Sequence, residues 1–128
     1  MLVVLALKDP QELQALKAAF ESPECEVLTS YDGREVVALV RERSPDAVVV
    51  SSSLGQMGGF AVSREIKMSA EAGEHPEPKV VVLLEREADA WLAGWSRCDA
   101  WLPASSDPLD VSDLVGRLLE SRAATETG

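Results

Sequence analysis

Residues 45–60 constrain the fold of this chain more than any other stretch. A short run of apolar, mostly β-branched residues at 47–50 is typical of a strand that is buried in a sheet. The run ends at Ser51 and passes into a loop of serines and glycines, which opens a helix near Phe60. A buried strand that leads through a short loop into a helix predicts one unit of an α/β protein.

The same alternation of strand and helix recurs along the whole chain. Short apolar runs predict strands at 2–6, 26–28, 47–50, 79–84 and 98–102. Longer segments with helical spacing of apolar residues predict helices that begin near residues 10, 33, 60, 87 and 108. Asp9 and Asp107, each followed by proline, are predicted N-caps, with Glu12 in the position of a capping box. Residues 69–78 are polar and contain prolines, which predicts a loop around the single histidine, His75.

Five strands that alternate with five helices indicate right-handed crossovers and a parallel sheet. We therefore predict a three-layer α/β/α fold of the flavodoxin-like type, with strand order 2-1-3-4-5. In that order, functional sites form at the carboxyl ends of central strands one and three. A chain of 128 residues fits one domain, which we expect to cover residues 1–122, with 123–128 as a tail or the start of a linker.

Composition argues against several classes of function. The net charge of −10 disfavours direct binding to nucleic acid or to an anionic membrane, since both require a basic surface. No apolar run approaches the roughly 20 residues that span a bilayer. No basic segment precedes the first strand, so a signal peptide is not expected. These observations predict a cytoplasmic protein.

The two cysteines do not indicate a metal site. Cys25 and Cys98 form no CxxC pair and no cluster with histidine, whereas zinc requires closely spaced soft ligands. We expect both to be small core residues in a reducing cytoplasm. In the predicted sheet they lie at opposite edges, too far apart for a disulfide.

Several segments, in their order and spacing, resemble response-regulator receiver domains. Residues 47–60 are similar to the third strand and following loop of that family, and 29–35 to its second strand-to-helix junction. Residues 99–103 are similar to its fifth strand, and 107–109 to the entry of its last helix. The resemblance covers nearly the whole chain and implies the flavodoxin-like (CheY-like) fold.

The resemblance also implies a phosphorylation site, and none of its five chemical types is retained. In the family an acidic pair after strand one holds magnesium, and an aspartate after strand three accepts the phosphoryl group. A threonine or serine after strand four and a lysine after strand five hold the transferred oxygens. These positions fall on five residues of other types: Leu7, Lys8, Ser51, Leu84 and Ala104. Ser105 replaces the proline that usually follows the lysine.

These replacements predict a degenerate receiver domain, or pseudo-receiver. Leu7 and Lys8 supply none of the hard oxygen ligands that magnesium requires, so we expect no magnesium at the usual site, no other cofactor and no enzymatic activity. A serine hydroxyl without a base is a poor nucleophile, and Ser51 is expected in a solvent-accessible loop. Phosphorylation of Ser51 by a separate kinase stays open.

The sequence of this region allows two other interpretations. Lys8 and Ser51 could face each other as a Ser-Lys dyad, but no oxyanion loop or substrate cleft can be identified. The loop at 51–59 is rich in serine and glycine but lacks the spacing and the lysine of a phosphate-binding P-loop. Asp9, the only acid near the first loop, is expected to cap a helix rather than bind a metal.

Three tryptophans indicate where a partner could bind. Trp91, Trp95 and Trp101 are half of the aromatic residues and fall in the predicted fourth helix and fifth strand. Core packing is the alternative role for each, but tryptophan is enriched at interface hot spots. The resemblance implies that signals pass through the face formed by the fourth helix, fifth strand and fifth helix.

We therefore expect a phosphorylation-independent module that binds a protein partner in bacterial signalling. It would form the N-terminal part of a larger regulator or of a motility or polarity scaffold. The alternative is a ligand-responsive receiver domain of a transcriptional regulator whose DNA-binding part is absent from this chain.

Overall fold

Five parallel strands form a central sheet with helices on both faces. In the computed structural model, which describes residues 1–55 and 57–127, the strands are β1 (Leu2–Ala6), β2 (Glu26–Ser30), β3 (Ala47–Ser51), β4 (Lys79–Leu84) and β5 (Ala100–Pro103). The helices are α1 (Pro10–Phe20), α2 (Gly33–Arg43), α3 (Gly59–Glu71), α4 (Leu92–Ser96) and α5 (Pro108–Thr127). The sheet order is β2-β1-β3-β4-β5 with every pair parallel, so the predicted fold and topology are confirmed.

The core lies in two layers because successive residues of a strand point to opposite faces of the sheet. On one face, Leu5 and Val49 belong to a buried cluster with residues of α1 and α5. On the other face, Val4 and Val50 belong to a cluster with residues of α2 and α3. The central strands β1, β3 and β4 are buried on both sides, which is why their sequences are nearly continuous apolar runs.

The predicted N-caps are confirmed. The Asp9 carboxylate accepts hydrogen bonds from the N–H groups of Gln11 and Glu12 at 2.7 and 3.4 Å. The Asp107 carboxylate accepts the Leu109 N–H at 2.8 Å. These bonds satisfy backbone donors that have no partner within the helix itself.

Several of the predicted element boundaries are wrong: β2 runs on to Ser30, β5 begins at Ala100, and larger differences lie at α3 and α4. Helix α3 continues through Ser69, where we predict a loop, and the hydroxyl of this residue lies 2.6 Å from Nε2 of the buried His75. The predicted helix at 87–95 is divided into a 3₁₀ turn, Glu87–Asp89, and the short α4. The residues at 85–89 are mostly charged, so they offer no apolar stripe to hold a longer helix against the sheet.

Helix α5 also extends further than predicted. It continues past Arg122 to Thr127, because no glycine or proline interrupts residues 117–127. Gly128, the last residue of the predicted tail, lies outside the described residues. The division of the chain into a domain and a following linker stays a prediction.

Both cysteines are free, as expected. Cys25 is buried just before β2 and Cys98 is partly buried just before β5, so they lie at opposite edges of the sheet. None of the helices in the described part of the chain combines the length and the hydropathy that crossing a membrane requires.

Candidate functional site

The five positions predicted from the family resemblance come together at the carboxyl edge of the sheet. The register pairs Ala6 with Val50, Ser51 with Leu83, and Leu84 with Pro103, so β1, β3, β4 and β5 end side by side. The segments that follow these strands therefore meet at one site, which includes Leu7, Lys8, Ser51, Leu84 and Ala104. Across the β4–β5 junction, the Ala104 N–H donates to the Leu84 carbonyl at 2.8 Å.

Ser51 is buried, so the prediction that it lies in a solvent-accessible loop is wrong. It is the last residue of β3 and only 2% of its surface is exposed. Its hydroxyl donates to Glu85 Oε1 at 3.4 Å and accepts the Ser53 N–H at 3.1 Å. Gly59, the first residue of α3, packs so closely on the Ser51 carbonyl that a Cβ there would overlap it. Close packing of α3 on the strand end therefore removes this position from solvent.

Leu7 and Lys8 do not form a site for magnesium. Leu7 is buried in the core between the sheet and helices α1 and α5. Lys8 is exposed, and its ammonium makes no hydrogen bond or ion pair within the described residues. Neither side chain offers an oxygen ligand, and residues 1–55 and 57–127 contain no group of three or more potential metal ligands. The residues present do not fit the ion that the family binds.

The other chemistry considered at this edge finds no support in the contacts. The Ser51 hydroxyl bonds to Glu85 and to the Ser53 backbone, not to Lys8, so the two residues do not form a dyad in this structure. Asp9 accepts two N–H groups of its own helix, as expected for a cap.

Leu84 and Ala104 line a cavity at the carboxyl ends of β4 and β5. Its volume is about 690 Å³, and a second cavity of about 240 Å³ extends toward α1 and α5. Three carboxylates line the larger cavity: Glu12, Glu85 and Glu87. Leu84 is buried and Ala104 is partly buried, and neither side chain supplies the polar group that the family resemblance predicts at its position.

Sequence reasoning missed these glutamates as a group. The sequence predicts a capping box for Glu12, yet no bond from its carboxylate to the Asp9 N–H is present in the described structure, and Glu12 lines both cavities instead. Glu85 and Glu87 come just after the end of β4. Charged residues directly after a predicted strand were therefore the sequence signal that could have identified them.

The three tryptophans are all exposed, which argues against the core-packing alternative. The exposed fractions are 73% for Trp91, 46% for Trp95 and 37% for Trp101. Trp91 immediately precedes α4 rather than lying within it. The Arg64 guanidinium lies 4.8 Å from the centre of the Trp95 ring and donates to the Trp95 carbonyl at 2.7 Å.

Leu109, in the first turn of α5, is a fourth large apolar side chain in this part of the sequence with much of its surface exposed, 63%. Because β5 is an edge strand, its flank is open to solvent between α4 and α5. We refer to Trp91, Trp95, Trp101 and Leu109 together as the α4-β5-α5 face.

Two relatives align with more than half of this chain at 30% sequence identity. The chain is 30% identical over 78 residues to an uncharacterised response regulatory protein of Mycobacterium tuberculosis, covering 61% of this chain and 56% of that protein. It is 30% identical over 87 residues to protein PilH of Pseudomonas aeruginosa, covering 68% of this chain and 71% of that protein. The chain belongs to the response-regulator receiver domain family. No known family profile matches it.

Solved receiver domains share the fold of this one. The receiver domain of AraT, a response regulator from Geobacillus stearothermophilus, superposes with a TM-score of 0.79 at 20% identity, covering 98% of this chain and 97% of that one. A receiver domain of a Pseudomonas aeruginosa sensor histidine kinase superposes with a TM-score of 0.79 at 15% identity, covering 93% and 97%. That second structure holds a magnesium ion in its active-site cleft. This receiver domain spans about half the length of the Mycobacterium relative.

Proposed function

We propose that this receiver domain works without phosphorylation, as a module that binds a protein partner in bacterial two-component signalling. One observation carries the proposal. At the carboxyl edge, where the family places its reactive groups, this chain has a buried serine among Leu7, Lys8, Leu84 and Ala104.

The chemistry of these side chains supports the proposal. Phosphoryl transfer depends on positioning and on neutralising the charge of the transferred group, which the family achieves with magnesium and a lysine. Among the described residues, the one charged group in contact with the Ser51 hydroxyl is the Glu85 carboxylate, which accepts its hydrogen bond. A carboxylate repels a phosphoryl donor, so this environment disfavours the reaction.

The exposed α4-β5-α5 face supports a role in binding. A monomer rarely exposes large apolar side chains as a group without a functional reason, and tryptophan anchors many interfaces. We propose that a protein partner contacts this face, and that the domain belongs to a larger regulator or to a motility or polarity scaffold.

A ligand-responsive domain of a transcriptional regulator is the alternative, and one observation favours it. The larger cavity has a volume within the roughly 300–1,000 Å³ that small-molecule sites occupy. Its lining of three glutamates would select a cationic ligand.

Treatment with acetyl phosphate and magnesium tests phosphorylation independence. We expect the intact mass of the protein to remain unchanged, because the chain lacks the acceptor and the metal ligands. A receiver domain that retains its acceptor aspartate, treated in parallel, should gain one phosphoryl group. A stoichiometric phosphoryl adduct on this chain, whether acyl phosphate or phosphoserine, would contradict the proposal.

A further inference from the structure

The two cavities at the carboxyl edge form one continuous groove. They share four lining residues: Glu12, Glu85, Ala104 and Ser105. We call their combined lining the β4–β5 groove. It begins beside Trp101 on the α4-β5-α5 face and extends inward to Leu7.

Most of the groove is apolar. The larger cavity is bordered by Leu84, Trp101, Leu102 and Pro103. The smaller one reaches core side chains of α1, β4 and α5, among them Leu16 and Val111, and Leu7, which directly follows β1. Apolar surface of this kind gains free energy when a partner covers it, at about 25 cal/mol per Å².

Charge determines which kind of partner fits. The ionisable residues that line the groove are Glu12, Glu85 and Glu87, and none of them forms an ion pair in the described structure. Arg86 lies between two of these glutamates in sequence, but its guanidinium lies 3.8 Å from Asp89 and is not part of the lining. The groove thus carries three uncompensated carboxylates on a molecule whose net charge is already −10.

We propose that the β4–β5 groove docks a segment of a partner protein in which an arginine adjoins a large apolar side chain. A guanidinium pairs with carboxylates through two parallel hydrogen bonds and stacks on an indole ring, and the groove offers both groups. The apolar neighbour fills the smaller cavity. This inference rests on the proposed function in one respect, that the domain binds a protein partner, and it states the chemistry of that partner.

Other occupants fit the groove less well. An acidic segment or a phosphate would meet three carboxylates with no cation among the lining residues. A metal ion is disfavoured because the described part of the chain holds no cluster of three potential ligands.

A titration followed by NMR tests the inference. The probe is the acetylated and amidated peptide Leu-Arg-Leu-Arg, added to ¹⁵N-labelled protein, with the Trp101 indole N–H assigned by comparison with Trp101→Phe. We expect a saturable shift of that signal and of the Glu85 and Glu87 amides. The same peptide with citrulline in place of arginine keeps the shape without the charge, and it should bind at least tenfold more weakly.

Matched variants separate groove binding from general attraction to an acidic protein. Glu85→Gln/Glu87→Gln removes two carboxylates from the groove and should weaken binding at least tenfold. Glu42→Gln/Glu120→Gln removes two exposed carboxylates that do not line the groove, so it should change the affinity less than twofold. Equal losses in both variants, or no shift at Trp101, would overturn the proposal.

Two further outcomes have distinct meanings. If N-acetylarginine amide binds as tightly as the peptide, the groove serves a small cationic ligand and the docking of a segment is wrong. The mass measurement with acetyl phosphate is independent of the peptide titration. A protein that binds the peptide but also gains a phosphoryl group would contradict phosphorylation independence alone.

Discussion

Ser51, which the family resemblance predicts at the acceptor position, is the last residue of the buried strand β3. Its hydroxyl donates to Glu85 and accepts the Ser53 N–H, and these two hydrogen bonds hold together the junction of β3 and the following loop. Burial also limits access, because a kinase must reach an exposed hydroxyl and only 2% of this residue is exposed. The Ser51 hydroxyl therefore links the loop after β3 to the loop after β4 and is not exposed as a reactive group.

Restoring an acid at this position should not restore a switch. Ser51→Asp would place a second carboxylate beside Glu85, whose Oε1 lies 3.4 Å from the Ser51 hydroxyl, and no cation of residues 1–55 and 57–127 contacts that hydroxyl. We expect the variant to be about 2 kcal/mol less stable at pH 8 than Ser51→Asn, with a smaller difference at pH 5, where protonation relieves the repulsion. Urea melts at both pH values measure this.

Ser51→Asn is the control, since it has nearly the same shape as aspartate without its charge. Equal stability of the two variants at pH 8 would show that the site tolerates a second charge. A magnesium-dependent phosphoryl adduct on Ser51→Asp would show that the missing acceptor alone keeps the domain unreactive.

At the scale of elements, the buried Lys67 of α3 forms an ion pair with Asp99, just before β5. Lys67 is 5% exposed, and its ammonium donates to Asp99 Oδ2 at 2.7 Å and to the Pro78 carbonyl at 2.9 Å. The same Asp99 oxygen accepts the Val80 N–H at 2.7 Å. One carboxylate thus links α3, β4 and the segment that enters β5.

Removing this lysine should destabilise the domain more than removing an exposed one. Lys67→Met leaves the partly buried Asp99 carboxylate without its closest cation, and we expect a loss of about 3 kcal/mol in the free energy of unfolding. Lys17→Met, the control, breaks an exposed pair with Glu21 and should cost less than about 0.5 kcal/mol. Urea melts of both variants check the difference. Similar costs would show that burial adds nothing to the Lys67 pair.

Trp91, which precedes α4, and Trp95, which lies within it, should contribute little to the free energy of unfolding. Trp91 is 73% exposed, so Trp91→Ala should change the free energy of unfolding by no more than about 0.5 kcal/mol. Trp95→Ala should cost about 0.5–1 kcal/mol, because it loses the contact between the ring and Arg64. Phe20→Ala, which truncates a core aromatic of 5% exposure, should cost about 3–5 kcal/mol.

Acrylamide quenching of tryptophan fluorescence provides an independent readout. Trp91→Phe should remove the most readily quenched component of the emission, whereas Trp101→Phe should remove a more protected one. A cost for Trp91→Ala near that of Phe20→Ala would assign this residue to the core and withdraw it from the α4-β5-α5 face.

At the scale of the whole molecule, Asp46 joins segments that are far apart in sequence. Its carboxylate accepts the Leu2 N–H at 2.9 Å and lies 3.1 Å from the guanidinium of Arg122 near the end of α5. Burial raises the pKa of the Asp46 carboxyl, but these two hydrogen bonds and the positive charges of Arg122 and the Met1 amino group outweigh it. The pKa therefore lies below its ordinary value.

A lowered pKa predicts a loss of stability in acid. The unfolded chain binds the proton more readily, so this contribution is present above about pH 4 and is lost as the pH falls through the lower pKa of the folded state. We expect Asp46→Asn to cost on the order of 1 kcal/mol at pH 7, since the carboxylate is partly exposed and screened by solvent, and to cost less at pH 3.5. Urea melts at pH 7, 5 and 3.5 follow the difference.

Asp113→Asn provides the comparison, because Asp113 is exposed on α5 and makes no hydrogen bond or ion pair within the described residues. Its effect on stability should be small at every pH. If the cost of Asp46→Asn were the same at pH 3.5 and pH 7, the carboxylate would not be the source of the acid sensitivity.

The order of strands and helices was predictable because the sequence patterns that indicate each of them are local. β1 and β4 have the predicted bounds, and the helices that follow Asp9 and Asp107 begin at the predicted prolines. Apolar runs and capping residues act within a few positions along the chain. The boundaries at α3, α4 and α5 were less accurate, since the ends of those helices depend on what they pack against.

The sequence by itself determined the α/β alternation, the parallel sheet and the chemical types at the five positions predicted from the resemblance, because each follows from residue identity or local pattern. Only the tertiary structure decided that Ser51 is buried, that Trp91 is exposed, and that Glu12 meets Glu85 and Glu87 in one groove. These features arise between segments brought together by the register of β1, β3, β4 and β5, and contacts across such distances leave no periodic trace in the chain.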